Sequence, residues 1–308
     1  MKRCEYWDRI VPDSILSRIA SGPPILFDGA IGSRLIQMGL PAGTPPEAWV
    51  LSQPEKVAAI HREYVAAGSE VIASCTFGGN RKRLERAGLA DRLIQINAEA
   101  VMLARQAAGG RCWIAADMGP TGEFIQPHGP LSEAEARRIY IEQAEILAQA
   151  GIDFFLLETH YDLREARLNL AACLDVAPGI PVAASMTFDR KNKGFFTVMG
   201  DEAVEALTIL NEDGACVVGA NCTLEAEGML ELAQSLLGKV EAPLLFQPNA
   251  GSPTITPGGI IYPQDASAFA RYVGEIAQLG ARAIGGCCGT DAGYIEKIKQ
   301  IIQSVSGS

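Results

Sequence analysis

Two adjacent cysteines near the end of the chain have residue types and spacing that suit a metal site. Cys287 and Cys288 stand in the run GGCCGT, with glycine on both sides. Adjacent side chains of a regular strand point to opposite faces, so both thiols can reach one ion only where the backbone leaves β geometry, which glycine permits. The run therefore predicts two converging metal ligands; the alternatives are a tight turn with incidental cysteines and a vicinal disulfide.

A third cysteine extends this pattern. Cys222 ends the apolar run CVVGANC, and in the organisation described below it falls on the same edge as Cys287 and Cys288. Three thiolates can fill three of the four tetrahedral positions of zinc, at Zn–S distances of about 2.3 Å. The chain has no Cys-x-x-Cys pair, which disfavours a closed structural site. We therefore predict a zinc ion with one open position.

A site with three thiolates favours a particular chemistry. Zinc that hydrolyses substrates usually has histidine or carboxylate ligands, and this chain has only 3 histidines, none of them clustered. Thiolate-rich zinc is suited instead to binding one more thiol, which loses its proton and stays nucleophilic. A free thiol with a pKa of about 8.5 is mostly protonated at neutral pH. The prediction is a zinc-dependent alkylation of a thiol rather than a hydrolysis.

A repeated pattern of elements predicts where these cysteines lie. Four segments each read as a helix ending in glycine, a short apolar strand and a polar cluster: AAGSEVIASCTFG, QAGIDFFLLETH, EDGACVVGANCT and QLGARAIGGCCGT. Four further apolar runs lie at 25–30, 112–120, 181–188 and 243–251. Continuous apolar runs are typical of parallel strands buried on both faces. Eight strands alternating with helices predict a single α/β domain, a (β/α)₈ TIM barrel, over residues 23–305, after an N-terminal extension at 1–22.

Two features of the sequence bear on this fold assignment. The alternative fold, an open doubly wound sheet, needs a phosphate-binding glycine turn after the first strand, and FDGAIGSRL lacks G-x-G-x-x-G. Helix starts are marked by Pro54 and by Ser132 with Glu135 three residues later, the pattern of a capping box.

A barrel carries its active site at the C-terminal ends of its strands. In this chain those ends are polar or thiol-bearing: Asp28, Cys75, Asp117, Glu158, Asp189, Cys222, Asn249, Cys287 and Cys288.

Several motifs occur in an order that resembles a known family. The runs ILFDGAIGSRL, DMGPTGEFIQPHGPLS, FLLETHYDLREA, GANC, FQPNAG and GGCCGT resemble the homocysteine S-methyltransferase family. They are most similar to the homocysteine-binding barrel of cobalamin-dependent methionine synthase and less so to betaine–homocysteine methyltransferase. The resemblance covers about residues 20–303. It implies a TIM barrel that binds zinc and homocysteine.

The resemblance also implies roles for individual residues. The zinc ligands would be Cys222, Cys287 and Cys288. Asp28 and Glu158 would bind the amino group of homocysteine, and backbone amides near Gly29 its carboxylate; Asn221 and Asn249, in GANC and PNAG, are expected to contact the substrate as well. Two carboxylates at a barrel rim suit an ammonium group. The alternatives are a helix cap for Asp28 and a buried ion pair for Glu158.

The implied reaction transfers a methyl group to homocysteine and gives methionine. The expected donor is a methylcorrinoid such as methylcobalamin on a separate corrinoid protein. The alternatives are S-methylmethionine, betaine or another onium donor, and a non-catalytic barrel that binds a thiol or a corrinoid protein. The sequence departs from the family near the predicted barrel mouth, where Ser74 and Cys75 replace a Thr-Asn pair and TLEAEGM follows GANC.

Other candidate residues have less specific signals. Cys75 is either a fourth thiol near the metal or a packed rim residue, and the packed residue is the favoured interpretation. His61, in the middle of a predicted helix, is expected at the surface. His160 is either a resting fourth ligand of the metal or a hydrogen-bonding rim residue. Asp189, in the charged run DRKNKG, is also interpretable as a solvated turn.

Composition excludes several classes of partner. The 308 residues carry a formal net charge of −10, which disfavours nucleic acid because phosphate binding needs a basic surface. The N-terminus does not resemble a secretory signal, and no apolar run approaches the roughly 18 residues of a membrane span. We therefore expect a cytoplasmic protein. There, 8 cysteines favour metal binding or catalysis over disulfides.

Overall fold

Eight parallel strands alternate with helices along the chain. The computed structural model describes residues 14–256 and 259–306, and at 255, 256, 259, 260, 305 and 306 it describes the backbone alone. The strands are β1 Ile25–Leu26, β2 Val71–Ala73, β3 Trp113–Met118, β4 Phe154–His160, β5 Val182–Met186, β6 Asp189–Lys191, β7 Gly194–Phe196, β8 Val217–Glu225, β9 Leu244–Asn249, β10 Thr254–Thr256, β11 Gly259–Ile261 and β12 Ala283–Ile284. The helices are α1 Ile15–Ala20, α2 Gly32–Gln37, α3 Ala48–Ser52, α4 Pro54–Ala67, α5 Arg81–Arg86, α6 Leu93–Ala108, α7 Glu133–Gln149, α8 Leu163–Val176, α9 Ala203–Glu212, α10 Ala226–Leu236, α11 Ala266–Gln278 and α12 Ala292–Ser306.

The parallel strands form one nearly closed barrel, in the order β1-β12-β9-β8-β5-β4-β3-β2. The two end strands, β1 and β2, meet at a seam where the Glu70 backbone N–H donates to the Leu26 carbonyl at 2.7 Å. The pairs β6–β7 and β10–β11 are antiparallel hairpins that lie apart from this sheet. The predicted (β/α)₈ TIM barrel is confirmed, with eight strands in the predicted runs.

The local signals in the sequence explain where helices begin and end. The glycines of the repeated pattern have left-handed φ values between 83° and 115°, at Gly68, Gly151, Gly214 and Gly280. Glycine adopts this conformation cheaply, so each helix can stop and turn into the next strand. Pro54 is the first residue of α4, and the Ser132 hydroxyl accepts a hydrogen bond from the Glu135 backbone N–H at the start of α7.

Side chains alternate between the inside and the outside of the barrel. On β4, Phe154 and Leu156 belong to an inner cluster, whereas Phe155 and Leu157 pack against the helices. This period of two follows from the pleat of a strand. The inner cluster also includes Ile15 from α1, which packs with Phe154. The first helix thus covers the N-terminal end of the barrel.

The N-terminal extension is therefore part of the packed structure where it is described. In α1, Ile15, Leu16 and Ile19 are buried, and Arg18 donates to both carboxylate oxygens of Glu70, at 2.7 and 2.6 Å. Residues 1–13 lie outside the described residues. Within residues 14–256 and 259–306, no helix has the length and apolar character needed to cross a membrane.

One sequence prediction about this scaffold is wrong. His61 is not at the surface: it is fully buried on the inner side of α4. Both ring nitrogens lack a hydrogen-bond partner among the described residues. Burial disfavours the charged imidazolium and lowers the pKa of His61 to about 4. Asp189, by contrast, begins the hairpin β6–β7 and pairs with Lys191 at 3.2 Å, as expected for a solvated turn.

Candidate active site

A cavity of about 330 Å³ opens among the C-terminal ends of the strands. The inner positions of the strands continue into its wall: Glu158 follows Phe154 and Leu156 on β4, and Gln247 follows Leu245 on β9. Because alternate residues face inward, these inner positions near the ends of β4 and β9 point into the cavity. Four carboxylates line this cavity: Asp28, Glu47, Asp117 and Glu158.

Three cysteines converge at one side of the cavity. The Sγ atoms of Cys222, Cys287 and Cys288 all lie within 4.8 Å of one another, and those of Cys222 and Cys288 are 3.9 Å apart. Sulfurs bound tetrahedrally to one zinc ion at about 2.3 Å would be about 3.8 Å apart. The donor set and its spacing therefore fit a metal ion such as zinc. Among the described residues, this is the one such group of His, Cys, Asp and Glu side chains.

The backbone leaves regular strand geometry at both ends of this cluster. Cys222 and Thr223 have φ values of 59° and 57°, and the pairing of β8 with β9 shifts at this point. Cys287 donates its N–H to the Pro248 carbonyl at 2.8 Å. The flanking Gly286 has no room for a side chain, since a Cβ there would lie 2.4 Å from Thr290 Oγ1. These departures bring adjacent cysteines to one point, as the glycines predict.

Hydrogen bonds between the thiols favour ionisation of Cys222. Bonds from Cys287 and Cys288 lower the pKa of Cys222 to about 3, and a bond from the Asn249 side chain lowers it further. The same contacts raise the pKa of Cys287, which then stays protonated as the donor. These contacts thus favour a negative charge on the Cys222 sulfur, which suits the cluster to a cation.

Two asparagines predicted to contact substrate lie behind the cysteines. The Asn221 amide nitrogen approaches Cys287 Sγ at 3.8 Å, and the Asn249 side chain bonds to Cys222. Within the described part of the chain, the residues lining the cavity include neither of them. Their geometry is that of residues that position the cysteines, and their contact with substrate stays a prediction.

The two acids predicted to bind an ammonium group lie on the cavity wall. Asp28 is 2% exposed, and its Oδ2 accepts a hydrogen bond from the Ala73 N–H at 2.9 Å. Burial raises the pKa of Glu158 to about 7, and the charge on Cys222 adds to this shift. Burial and repulsion from Glu158 also raise the pKa of Asp28. A bound cation would relieve this repulsion.

Gly29, predicted beside the substrate, also lines the cavity. A Cβ at this position would lie 2.6 Å from Thr290 Oγ1 and 2.9 Å from the Tyr64 hydroxyl. The Thr290 hydroxyl accepts a hydrogen bond from the next backbone N–H, that of Ala30, at 3.2 Å. Glycine is thus required here by the close approach of α4 and the turn after Cys288.

Cys75 and His160 differ in their relation to the cavity. Cys75 lines it and is 4% exposed, but it is outside the group of three cysteines within 4.8 Å. His160 is fully buried, and its Nε2 lies 3.3 Å from the Asn169 side chain. Burial lowers the pKa of His160 to about 3. This contact agrees with the hydrogen-bonding interpretation of His160 rather than with a metal ligand.

The sequence analysis missed several residues of the cavity wall, among them Gln247 and Glu47, and left Asp117 without a role. Gln247 could have been found, because it is two residues beyond Leu245 on an inward-facing register. Asp117 was predicted to lie at a strand end, without a role. Its inward direction, and so its contact with the cavity, follows from the same alternation of side chains along the strand. Glu47 precedes α3, outside any strand, and no local pattern indicates that it reaches the cavity.

Comparison with known proteins identifies the family. The profile of the family described as homocysteine S-methyltransferase matches residues 25–302. The chain belongs to this family. Its relatives in the homocysteine S-methyltransferase family include methionine synthase from Mycobacterium tuberculosis, which is 27% identical over 97% of this chain. Betaine–homocysteine S-methyltransferase 1 from Bos taurus is 30% identical over 94% of it.

Members of the family differ in length and are alike in fold. The chain spans 26% of the length of the mycobacterial methionine synthase and 75% of the bovine enzyme. Among solved structures, the metallated form of the homocysteine methyltransferase MmuM from Escherichia coli superposes with a TM-score of 0.77 and 22% identity. That superposition covers 92% of this chain and 98% of MmuM. It supports the barrel fold of the family.

Proposed function

We propose that this chain is a zinc-dependent S-methyltransferase that transfers a methyl group to homocysteine and gives methionine. The observation that carries the proposal is the position of Cys222, Cys287 and Cys288 on one cavity whose wall also carries Asp28 and Glu158. The cavity therefore offers a site for a thiol and a site for an ammonium group, the two groups that homocysteine combines.

The residues of the cavity bind and orient the acceptor. Asp28 and Glu158 ionise and pair with the ammonium group, while backbone amides near Gly29 face the carboxylate. The three cysteines would hold the zinc ion, and zinc bound there lowers the pKa of a fourth thiol so that it is present as a thiolate at neutral pH. Fixing the sulfur and the amino group together orients the nucleophile toward the donor.

The methyl transfer itself is a displacement at carbon. The homocysteine thiol gives its proton to solvent, and a lone pair of the sulfur forms the new S–CH₃ bond. The bond between the methyl group and the donor atom breaks, and its electron pair stays on the donor. The protein residues on the cavity wall supply the orientation of the acceptor.

Two classes of donor are supported by different observations. A methylcorrinoid on a separate protein is supported by the similarity to methionine synthase over 97% of the chain. A small onium donor is favoured by the cavity, whose lining includes four carboxylates and, among the described residues, no Lys, Arg or His. A cytoplasmic site of action stays a prediction.

Zinc K-edge X-ray absorption with and without homocysteine tests the proposed function. We expect three sulfur ligands and one light atom in the free protein, and four sulfur ligands when homocysteine is bound. Three sulfurs that do not respond to homocysteine would refute the acceptor. Absence of zinc from reduced, metal-replete protein would refute the metal site. Bound homocysteine without turnover by methylcobalamin or any onium donor would favour a non-catalytic binding barrel.

A further inference from the structure

We propose that Asp117 and Glu47 form a second cation site in the cavity, which binds the positive charge of an onium methyl donor, a sulfonium or a quaternary ammonium compound. The inference rests on the proposed transfer to homocysteine and adds the site for its donor. It is separate from Asp28 and Glu158, which are assigned to the ammonium group of the acceptor.

Asp117 lies on the cavity wall and has a buried acceptor atom without a partner among the described residues. It occupies an inner position of β3, two residues beyond Ala115, and lines the cavity while only 7% exposed. Its Oδ1 is buried and has no hydrogen-bond partner among the described residues. A buried carboxylate oxygen without a partner is costly, so its retention on a cavity wall indicates a ligand.

Glu47 supplies the second carboxylate from a different part of the chain. It is 2% exposed, and its Oε1 accepts a hydrogen bond from the Gly78 N–H at 2.6 Å. Gly78 leaves the space for this carboxylate, since a Cβ there would lie 3.0 Å from Oε1. The Glu47 carboxylate is thus fixed at the cavity although no strand carries it.

The charges around these two acids favour a cation. Burial raises the pKa of Asp117, and repulsion from Glu158, Glu47 and Asp28 adds to the shift. The nearest cation, Arg83, stacks on the Phe77 ring at 5.0 Å and donates to the Pro120 carbonyl at 2.7 Å. Arg83 is outside the cavity lining and carries a single charge. Homocysteine bound as a thiolate brings no net positive charge, so the cavity stays acidic after the acceptor binds.

The rest of this wall suits the methyl groups of an onium ion. Phe77 and Cys75 line the cavity together with the two acids. Aromatic rings attract cations, and sulfur is polarisable. Burial, with the charges of Glu47 and Asp117, raises the pKa of Cys75 well above its usual range. Cys75 therefore remains a neutral thiol and does not compete with homocysteine for the methyl group.

The charge of the donor changes during the reaction. The homocysteine thiolate forms the S–CH₃ bond as the C–S or C–N bond of the donor breaks, and the electron pair of that bond remains on the leaving heteroatom. The leaving group is a neutral thioether or tertiary amine. It loses its attraction to Asp117 and Glu47, so the site binds the donor more tightly than the demethylated product.

Calorimetry of zinc-loaded protein with saturating homocysteine tests the site, with tetramethylammonium as the probe. We expect tetramethylammonium to bind, and to bind at least tenfold more weakly to D117N and to E47Q, a variant that keeps an oxygen acceptor for Gly78. Tert-butanol, a neutral molecule of similar shape, should bind equally to all three proteins. D213N, which changes an exposed acid paired with Arg167, is the matched control and should behave as wild type.

Measurement of homocysteine affinity separates this inference from the proposed function. Homocysteine should bind D117N and E47Q within twofold of wild type, and a thermal melt checks that each variant is folded. Suppose that homocysteine binds wild type. If tetramethylammonium then does not bind, or binds equally to wild type, D117N and E47Q, the donor site is refuted and the proposed function stands. Turnover with methylcobalamin but not with trimethylsulfonium would also refute it. Failure of homocysteine to bind wild type would refute the proposed function itself.

Discussion

Asn221 and Thr159 are joined by two hydrogen bonds across the rim of the barrel. Asn221 Oδ1 accepts from the Thr159 N–H at 2.8 Å, and Asn221 Nδ2 donates to Thr159 Oγ1 at 2.7 Å. Thr159 has a φ of 61° and Cys222 a φ of 59°, conformations that are costly for residues other than glycine. The Asn221 side chain thus holds the strained backbone of β4 at Thr159, next to Glu158, and Asn221 itself directly precedes the strained Cys222 on β8.

We therefore expect N221A to weaken both the fold and the metal site. The variant leaves the Thr159 N–H, the Thr159 hydroxyl and the Ser185 hydroxyl without this partner, which should lower the free energy of unfolding by about 2–4 kcal/mol. Zinc affinity, measured by competition with a chromophoric chelator, should fall at least tenfold. As control, N211A removes one partly buried hydrogen bond, to the Ala215 carbonyl just before β8, and should leave zinc affinity unchanged.

Removal of one cysteine ligand should abolish zinc binding. We expect C222A to lose stoichiometric zinc and methyl transfer, because two thiolates leave the tetrahedral site half empty. C75A is the matched control, since Cys75 lines the same cavity but is outside the cluster. Zinc content by mass spectrometry checks both variants. Equal loss of zinc from C75A would show that Cys75 is a ligand.

Glu158 should act on the amino group of the acceptor and not on its thiol. We expect E158Q to weaken homocysteine binding about 10- to 100-fold, the range for loss of a hydrogen bond to a charged group. Binding of 4-mercaptobutanoate, which has the thiol and carboxylate but no amino group, should change less than twofold. Calorimetry on zinc-loaded protein gives both affinities. A parallel loss for both thiols would instead indicate that Glu158 supports the metal site.

The raised pKa of Glu158 predicts a pH dependence of product binding. Methionine has no titrating thiol, so its ammonium group reports on the acids alone. With a Glu158 pKa of about 7, the carboxyl group is mostly protonated at pH 6 and mostly ionised at pH 8. Methionine should therefore bind about tenfold more weakly at pH 6 than at pH 8. The same titration on E158Q should be flatter; an unchanged slope would assign the dependence to another group.

His61 should limit stability in acid. The pKa of His61 in the folded protein is about 4, below its unfolded value of about 6.5. The unfolded chain then binds a proton first, so stability is full above pH 6.5 and is lost as pH falls toward 4, by roughly 3 kcal/mol in total.

The variant H61L isolates this contribution. It should unfold with a flatter pH profile between 6.5 and 4, and it should not destabilise the protein at pH 7, because the two ring nitrogens have no partner among the described residues. Chemical denaturation at several pH values checks this. H128Q, which changes an exposed histidine, is the control and should follow wild type. A wild-type profile for H61L would show that His61 is not the group responsible.

Much of the site was predictable because cysteine is a rare residue type and because polar residues mark the ends of the apolar strand runs. Cysteines between glycines and acids at strand ends indicated the rim directly. The burial of His61 was also readable: Val57, Ile60, His61 and Tyr64 have the i, i+3, i+4, i+7 spacing of one buried helix face. The polar character of histidine outweighed that spacing, and the prediction of a surface residue was wrong.

Other parts of the site depend on contacts that no local pattern encodes. Glu47 reaches the cavity because its carboxylate meets the Gly78 N–H, 31 residues away. The hydrogen bonds of Asn221 to Thr159 span 62 residues and exist only once the barrel has closed. The sequence shows which residues can form such hydrogen bonds. Which of them form a pair depends on the closed barrel, which brings distant residues within hydrogen-bonding distance.

The contact between α1 and the seam has a consequence for where the folding unit begins. Arg18 binds the carboxylate of Glu70, whose backbone joins the two end strands, and Ile15 fills the floor of the barrel. The family match starts at residue 25, after all of these α1 residues. A fragment cut at that boundary would expose the inner core to water and loosen the line along which the barrel closes. The evolutionary boundary of this domain and its thermodynamic boundary are therefore different places in the chain.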